Sequence, residues 1–294
     1  MSSPAIGFIG IGALARGLAL ALAQHGYRIA GTSSRSAQSA QWLAQQIPGC
    51  RAFPEAQALA GACDLVFITT PDVVIGQVAA SLRWRPGQQV VHCCGAASVE
   101  LLEPAAAQGA ATGALHPFQT FAGLDSPADA AARLQGVTFA VAGAEPLAAL
   151  LSQMARDLGG RPISLSDGDR PLYHASAILA CGYLAALLQC AARIWQEMGF
   201  TSQEGLEALY PLARATLENI ARLGIVPSVT GPVVRGDAAT VAAHLEALSQ
   251  RLPELAPVYA ALTQASLPIA QARGVAPAPI AYIAHLVETY AQRG

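Results

Sequence analysis

A glycine-rich turn near the start of the chain constrains the fold more than any other feature. An apolar run at residues 5–9 ends at Gly10 and Gly12, and an apolar pattern with helical spacing follows at once. Gly10, Gly12 and Ala15 fit the pattern G-x-G-x-x-A, in which the first glycine allows a tight turn and the second lets a ligand approach the backbone. The small third residue lets the helix pack closely on its strand. The stretch therefore predicts a strand, a glycine turn and a helix in direct succession.

The start of that helix is a candidate phosphate site. The N–H groups of a first helical turn have no partner within the helix, so they can bind a pyrophosphate. In this stretch the predicted dinucleotide contacts are Gly10, Gly12, Ala13, Leu14 and Ala15. A glycine turn that binds no ligand is the alternative.

The segment after the second predicted strand, residues 27–32, favours one kind of dinucleotide. A site for NAD usually places an Asp or Glu at the end of this strand, where it accepts from the ribose 2′-OH. The first 54 residues contain no acid, whereas Ser34, Arg35 and Ser36 supply hydroxyl groups and a guanidinium. These groups suit the 2′-phosphate of NADP. We therefore expect NADP rather than NAD, with a solvated loop arginine as the alternative for Arg35.

The charged residues exclude several classes of function. The formal net charge is −2, so the chain offers no electrostatic footprint for a nucleic acid or an anionic membrane. All 17 basic residues are arginines, which excludes Schiff-base chemistry and a lysine general acid. We expect a small-molecule substrate and no nucleic-acid or membrane partner.

The cysteines and the N-terminus favour a cytoplasmic protein. The six cysteines form no C-x-x-C pair and lack metal-ligand spacing, so we expect reduced, mostly buried thiols and no metal site. The first residues lack the basic segment of a signal peptide. Residues 175–192 are apolar and uncharged. Their few polar members favour a helix buried on all sides in a core over a membrane span.

The order of the predicted elements defines two domains. Up to about residue 165, apolar strands alternate with helical patterns, which predicts an α/β domain with a doubly wound parallel (Rossmann) sheet. From about Asp169 onward the pattern is almost wholly helical, with prolines between the last segments. We therefore predict a dinucleotide-binding Rossmann domain at residues 1–166 and an all-α domain at residues 167–294.

Three predicted strand ends belong to the side on which open parallel sheets bind their ligands. They are Thr70-Pro71-Asp72, Cys94-Gly95-Ala96 and His116-Pro117. The predicted cofactor contacts among them are Thr70, Pro71, Cys94 and Gly95. Asp72 either lies in the site or caps the helix that follows it.

Histidine and tyrosine are the candidate proton donors. His116 follows a strand and can exchange a proton near neutral pH without a large pKa shift. Alternatively, its hydrogen bonds hold the following loop. Tyr173 and His174 open a long predicted helix and point about 100° apart, so we expect at most one of them to face the cofactor. Alternatively, the tyrosine packs at the junction between the domains and the histidine lies on the surface.

A turn-rich segment within the helical domain, residues 230–237, is the remaining candidate. Arg235 can bind a carboxylate through two parallel hydrogen bonds. Asp237 is predicted to cap the helix that carries Thr240. The predicted catalytic residues are His116, Tyr173, His174 and Arg235, and His116 is the first choice for the proton donor.

Several of these stretches together carry a resemblance over nearly the whole chain. They are residues 7–17, 34–36, 69–72, 92–95, 115–117, 173–175 and 230–237, with His244. They resemble a family of Rossmann-like proteins proposed to be NADP oxidoreductases, whose C-terminal helical domain is uncharacterised. That family is similar to pyrroline-5-carboxylate reductase, deazaflavin-dependent NADP reductases and 3-hydroxyacid dehydrogenases. The kinship implies a homodimer built by the helical domain and a substrate cleft between the domains.

The chain departs from these relatives at positions that matter for chemistry. 3-Hydroxyacid dehydrogenases carry a catalytic lysine and an asparagine, but this chain has no lysine and its single asparagine is Asn219. Gly182 stands where the resembling family often has an asparagine. The resemblance implies an NADP(H)-dependent oxidoreductase that transfers a hydride to or from a small carbonyl or imine. A non-catalytic NADP-binding sensor or scaffold is the alternative.

Overall fold

The computed structural model describes residues 4–123 and 126–291 and divides the chain into two compact units. The first unit, Met1–Cys181, contains all the described strands, whereas the second, Gly182–Gly294, is helical. An α/β part followed by a helical part is the predicted class of fold. The predicted domain boundary between residues 166 and 167 stays a prediction.

The first unit is built on one sheet of eight strands. They are β1 (Ile6–Ile9), β2 (Ile29–Ser33), β3 (Arg51–Ala52), β4 (Leu65–Ile68), β5 (Gln89–His92), β6 (Ala111–Pro117), β7 (Thr138–Gly143) and β8 (Arg161–Ser164). Their spatial order is β3-β2-β1-β4-β5-β6-β7-β8. The winding reverses between β1 and β4, which is the place where doubly wound sheets bind ligands.

The predicted doubly wound parallel sheet is confirmed, and the direction of β7 is the one departure from parallel pairing among the described strands. The neighbours from β3 to β6 pair in parallel, but β7 pairs antiparallel with β6 and in parallel with β8. Because Phe139 pairs with Pro117, β7 starts beside the end of β6. The chain therefore turns back from the edge at which β6 ends, and no crossover to the opposite edge is needed. The sheet remains dominated by parallel pairs.

Helices cover both faces of the sheet. They are α1 (Ala13–Gln24), α2 (Ala37–Gln46), α3 (Ala56–Ala62), α4 (Ile75–Ser81), α5 (Glu103–Ala106), α6 (Pro127–Ala132) and α7 (Leu147–Asp157). A further helix, α8 (Arg170–Ala180), follows β8. Along β4, Leu65 and Phe67 join one apolar core, whereas Val66 and Ile68 join the other. This alternation explains why β4 is apolar throughout, as strands buried on both faces are. The sequence analysis did not identify β3, α3 or α6.

The second unit consists of helices. They are α9 (Gly182–Glu197), α10 (Ser202–Leu223), α11 (Ile225–Ser228), α12 (Ala238–Arg251), α13 (Ala256–Ala272) and α14 (Pro277–Ala291). The last three form a core around Val241, Leu245 and Ile283, which are fully buried. At the start of α10, Thr201 and Glu204 form a capping box, which satisfies the first N–H groups of that helix.

The prediction that residues 175–192 are buried on all sides is wrong for the single chain. The helix breaks at Cys181 into α8 and α9, and Ala192 is the only buried residue of α9. Burial on all sides needs a packed layer on each side, and the described residues of one chain leave most of this stretch exposed. By length and composition residues 167–197 could cross a membrane, and one such stretch is weak evidence for a span.

Candidate functional site

The glycine turn and the end of β4 lie side by side where the winding of the sheet reverses. Gly10 has a φ of 94°, a left-handed conformation that favours glycine. A Cβ atom on Gly10 would lie 2.7 Å from the backbone nitrogen of Thr70. The Thr69 hydroxyl donates to the carbonyl oxygen of Gly10 over 2.7 Å. The fold itself therefore requires a glycine at position 10.

Two groups beside this turn have no such role within the fold. Gly12 has an ordinary φ of −87°, and a Cβ atom there would meet no atom within 4 Å. The Thr70 hydroxyl is buried, and no described residue bonds to it. Neither conformation nor packing explains Gly12, whereas the close approach of a ligand does. The open space at Gly12 and the unpaired buried hydroxyl of Thr70 fit a bound dinucleotide.

The first turn of α1 fits an anionic ligand. Ala13 is exposed, Leu14 is partly buried and Ala15 is buried against the sheet. No acidic residue lies in this turn, so the positive end of the helix dipole stays uncompensated by side chains of the helix. Further along, a Cβ atom on Gly17 would lie 2.6 Å from Cβ of Ala130, so that glycine lets α1 pack against α6.

The serines after β2 shape the turn in which Arg35 lies. Ser36 caps α2, since its hydroxyl accepts from the backbone N–H of Ser39 over 3.2 Å. The Ser34 hydroxyl accepts from the backbone N–H of Ser36 over 3.3 Å. Arg35 is exposed, and within the described part of the chain no hydrogen bond or ion pair holds it. Its guanidinium is therefore available to a ligand.

The sequence analysis missed a second guanidinium beside this turn. Arg16, in the second turn of α1, lies over the Trp42 ring, with its Cζ atom 4.8 Å from the ring centroid. Its Nη2 donates to the Ser39 hydroxyl over 3.4 Å, and its buried Nε has no partner among the described residues. The available signal was its position on the helix that follows the glycine turn.

His92 is a structural histidine at the end of β5. Its Nδ1 accepts from the backbone N–H of Cys94 over 3.1 Å, so its Nε2 carries the proton and donates to the Ser98 carbonyl over 3.1 Å. Burial, with a smaller contribution from the charge of Arg170, lowers the pKa of His92 to about 4. His92 is therefore neutral near pH 7 and holds the loop that carries Cys94 and Gly95.

Asp72 does not cap the helix behind it. It opens a 3₁₀ turn, Asp72–Val74, whose capping position is occupied by Pro71. Burial and then a hydrogen bond to Asp72 raise the pKa of the Cys94 thiol. Because the N–H and the thiol of Cys94 both have partners within the chain, its carbonyl is the group left for a cofactor. The contacts predicted for Pro71 and Cys94 stay predictions.

Gly95 is needed because the His116 ring lies against it. A Cβ atom on Gly95 would lie 2.7 Å from both Nε2 and Cε1 of that ring. β5 and β6 run in parallel, so the loop after β5 and His116 near the end of β6 share one edge of the sheet. The glycine turn lies at the same edge, since β1, β4 and β5 also run in parallel.

His116 and Tyr173 form a pair. His116 Nδ1 lies 2.9 Å from Tyr173 Oη, and the two rings meet edge-on with centroids 5.5 Å apart. The Phe118 ring also packs against the tyrosine ring, with centroids 4.7 Å apart. Two of the predicted catalytic residues are thus in contact, and a third aromatic ring fixes their orientation.

Both members of this pair are neutral near pH 7. Burial, with smaller contributions from His174 and Arg170, lowers the pKa of His116 to about 4, although Asp72 opposes the shift. Burial raises the pKa of Tyr173 to about 12. A tyrosine hydroxyl can donate to Nδ1 or accept from it. The pair can therefore present one proton to a ligand, either from Tyr173 Oη or from His116 Nε2.

The remaining predicted residues are His174 in the first unit, and Arg235 and Asp237 in the second. His174 is partly buried next to Tyr173 in α8. Arg235 is an exposed residue of the second unit, at the end of the 3₁₀ turn Val233–Arg235. Asp237 caps α12 and accepts from the backbone N–H of Thr240 over 3.1 Å, so its predicted capping role is confirmed.

Arg170 is the residue near this pair that the sequence analysis missed. It is the first residue of α8 and is fully buried. Its Nε donates to Asp167 Oδ1 over 3.1 Å, but Nη1 and Nη2 have no partner among the described residues. An unpaired buried donor costs about 1–3 kcal/mol, and more when it is charged. Sequence offers no signal for this burial, since arginine is usually exposed.

A cavity in the first unit does not coincide with the strand ends above. It has a volume of about 510 Å³ and lies beside the first residues of β6, with Glu145 and Asp167 in its lining. No group of three metal-ligating side chains occurs among the described residues. Within the same part of the chain all six cysteines are free; Cys181 is exposed, so the expectation of mostly buried thiols is only partly met.

Two family matches cover most of the chain. A Rossmann-like domain matches residues 2–117, and a domain of unknown function, DUF2520, matches residues 137–266. None of the curated proteins compared with this chain matches it. The pairing of the two domains is the one that the sequence resemblance implies.

Solved structures share the fold at low sequence identity. A candidate NADP oxidoreductase of Bacteroides fragilis is 22% identical, with a TM-score of 0.72 over 90% of this chain and 98% of that one. A 1-pyrroline-5-carboxylate reductase of Streptococcus pyogenes is 17% identical, with a TM-score of 0.59 over 99% of both chains. A reductive aminase of Aspergillus terreus, solved with NADPH and ethyl-5-oxohexanoate, is 18% identical, with a TM-score of 0.60 over 100% of this chain and 95% of that one.

Proposed function

We propose that this chain, which pairs a Rossmann-like domain with the DUF2520 domain, is an NADP(H)-dependent reductase of small carbonyl or imine compounds. The contact between His116 and Tyr173 is the observation that carries the proposal. Two neutral, mutually oriented proton carriers lie at the same edge of the sheet as the glycine turn. A reductase needs both features, since a hydride source and a proton source must meet at one substrate.

The cofactor would supply the hydride, and the chain would supply binding, orientation and the proton. When the C=O or C=N carbon accepts a hydride, its π electrons move to the heteroatom, which then takes one proton. When His116 carries its proton on Nδ1 and donates it to Tyr173 Oη over 2.9 Å, the tyrosine hydroxyl is free to give its own proton to the substrate; the same hydrogen bond then stabilises the tyrosinate, which regains a proton from water. In the second arrangement His116 Nε2 gives the proton while Nδ1 takes the tyrosine proton, so that a tyrosinate is again left and is reprotonated from water.

NADP is the proposed cofactor because of the residues around the turn after β2. Arg35 is exposed there and bonds to no described residue, and Arg16 lies next to the Ser39 hydroxyl. A guanidinium binds a phosphate group through charge-assisted hydrogen bonds. The name of one similar structure includes NADP, and another was solved with NADPH, which also supports this choice.

Transfer of deuterium tests the reductase directly. NADPH deuterated at C4 is incubated with the protein and a panel of ketones, oxo acids and cyclic imines, and the products are analysed by mass spectrometry. We expect deuterium on the former carbonyl or imine carbon of at least one product. NADP binding without transfer to any panel member would favour the alternative, a non-catalytic sensor or scaffold.

We also propose a homodimer formed through the apolar helices. Leu172 and Leu179 in α8 are 74% and 64% exposed, and Tyr183, Tyr210 and Leu212 in the next two helices exceed 55%. Exposed apolar surface of this extent is typical of an interface between subunits. Light scattering at micromolar concentration should give twice the mass of the chain, and a monomer would contradict the proposal.

A further inference from the structure

We propose that Arg170 binds the carboxylate of the substrate, so that the preferred substrates are oxo or imino acids rather than neutral ketones or imines. The inference rests on the proposed reductase site at His116 and Tyr173. It assigns the anion-binding role to a residue other than Arg235.

The unpaired donors of Arg170 carry this inference. A guanidinium has five N–H donors in a planar arrangement. The Nε donor of Arg170 reaches Asp167 Oδ1 over 3.1 Å, whereas Nη1 and Nη2 are buried and bond to no described residue. These two nitrogens are the ones that hold a carboxylate in the parallel, bidentate arrangement.

The charge of Arg170 is also incompletely balanced. Its side chain is 0% exposed, whereas that of its partner Asp167 is 52% exposed. Asp167 therefore keeps much of its contact with solvent, whereas the buried cation has one hydrogen bond. A buried charge is stable only when it is paired and its hydrogen bonds are satisfied. A carboxylate on Nη1 and Nη2 would meet both needs.

The position of Arg170 along α8 places this anion near the reacting centre. Arg170 and Tyr173 are three residues apart, so their side chains leave the same face of the helix with Cβ atoms roughly 5–6 Å apart. The start of α8 adds a favourable dipole for an anion. A substrate that reaches both side chains would place its carboxylate on Arg170 and its carbonyl or imine group near Tyr173.

No carboxylate among the described residues bonds to the two terminal nitrogens of Arg170. His92 and His116 are neutral near pH 7, and Tyr173 is protonated. Asp167 contacts Nε rather than the two terminal nitrogens. Water alone could also bond to Nη1 and Nη2, and in that case Arg170 would be structural and the chain indifferent to the charge of a substrate.

Oxamate and oxamide test the inference by binding. Oxamate resembles a small 2-oxo acid that cannot be reduced, and oxamide is its neutral counterpart. Calorimetric titration of the full chain with NADP⁺ present should show oxamate bound at least about tenfold more tightly than oxamide, the gain expected of one charge-assisted contact. R170Q should remove this difference, whereas R161Q, a change at an exposed arginine of β8, should keep it.

Two further variants keep the test decisive. R170K retains the charge but loses the bidentate arrangement, so its preference for oxamate over oxamide should lie between those of the wild type and R170Q. If circular dichroism shows that R170Q is unfolded, R170K replaces it in the test. R235Q should bind oxamate like the wild type. The inference would be overturned if the unmodified protein bound oxamate and oxamide equally, or bound no oxamate at millimolar concentration. It would also be overturned if R235Q lost oxamate binding while R170Q retained it.

Activity separates this inference from the proposed function. Reduction of 2-oxobutanoate and of butanone at equal rates would leave the reductase intact and remove the role of Arg170. Oxamate binding that depends on Arg170, without reduction of any carbonyl or imine, would retain the anion site and remove the reductase. Preference for 2-oxobutanoate that disappears in R170Q would support both.

Discussion

Two histidine–tyrosine pairs, one in each unit, share almost the same local geometry. His116 Nδ1 lies 2.9 Å from Tyr173 Oη, and His244 Nδ1 lies 2.8 Å from Tyr259 Oη. The rings meet edge-on in both pairs, at 82° and 87°. Hydrogen-bond geometry alone therefore does not tell which pair could take part in chemistry.

The surroundings of the two pairs differ. His116 is partly buried, and burial with nearby His174 and Arg170 lowers its pKa to about 4. His244 is exposed on α12 and joins that helix to Tyr259 of α13. Desolvation and neighbouring charges are what tune a proton carrier for a site. In the first pair they act on the histidine. In the second pair burial raises the pKa of Tyr259, but the histidine is exposed, and the hydrogen bond joins two packed helices.

The largest expected contrast between the pairs is in turnover. His116→Ala should lower turnover of an identified substrate by roughly 100-fold or more, because a proton donor or relay acts in the transition state. NADP affinity should stay nearly unchanged, since a proton donor acts in the transition state and not in ground-state cofactor binding. Stopped-flow measurement of NADPH oxidation gives the rate, and fluorescence titration gives the affinity.

His244→Ala is the matched control in the second unit and should leave turnover within about twofold. Undiminished turnover in His116→Ala would remove this histidine from the mechanism and leave Tyr173 as the donor. Equal losses in both variants would show that the comparison between the pairs is misleading.

Acid stability is the second contrast. The pKa of His92 is lowered from 6.5 to about 4 in the folded chain. Between these values the unfolded chain binds the extra proton, so stability present above pH 6.5 is lost as the pH falls toward 4. A shift of this size corresponds to about 3 kcal/mol. His92→Gln should remove that share of the acid-induced loss, whatever it does to stability at neutral pH.

The measurement needs a signal from the first unit alone. In a Trp195→Phe background the remaining tryptophans are Trp42 and Trp84, both in the first unit. Urea unfolding followed by their fluorescence gives stability at each pH. His244→Gln should leave the pH dependence of this signal unchanged, and an unchanged slope in His92→Gln would argue against a buried neutral imidazole.

The sequence predicted the parts of the site that depend on local pattern. The glycine turn, the hydroxyl-rich turn with Arg35, and His116 at a strand end follow from residue types at fixed spacing. Most strands and long helices were predicted for the same reason, since periodicity of apolar residues reflects burial. Asp237 as a helix cap also depends only on neighbours in the chain.

The parts that were missed depend on burial and on packing between distant segments. Nothing local distinguishes buried Arg170 from the exposed arginines, and nothing local brings Arg16 to Trp42. The antiparallel direction of β7 follows from where the chain re-enters the sheet. The exposure of α9 was missed because the sequence of an apolar helix does not show whether it packs against its own chain or against another.

Cofactor preference is the third test, and it compares an arginine in each unit. Arg35→Ala should narrow the gap between NADP and NAD affinity by about 1–3 kcal/mol, the value of a lost charge-assisted contact. Arg235→Ala should leave that gap unchanged. Titration of each variant with both cofactors checks this. Equal affinities of the unmodified protein for NADP and NAD would contradict the assignment of NADP.

The smallest expected effect is in the second pair itself. Tyr259→Phe removes the hydroxyl that bonds to His244 and to the buried Thr263. Water can replace the lost partner of the exposed histidine but not that of Thr263, so the change should cost about 1 kcal/mol of stability. The signal of Trp195, the tryptophan of the second unit, reports this loss in a variant without Trp42 and Trp84. Turnover should stay at the wild-type level, whereas Tyr173→Phe, the same chemical change in the first pair, should lower it. If Tyr259→Phe instead lowered turnover as much as Tyr173→Phe does, surroundings would not separate the two pairs, and the second would have to be counted as part of the chemistry.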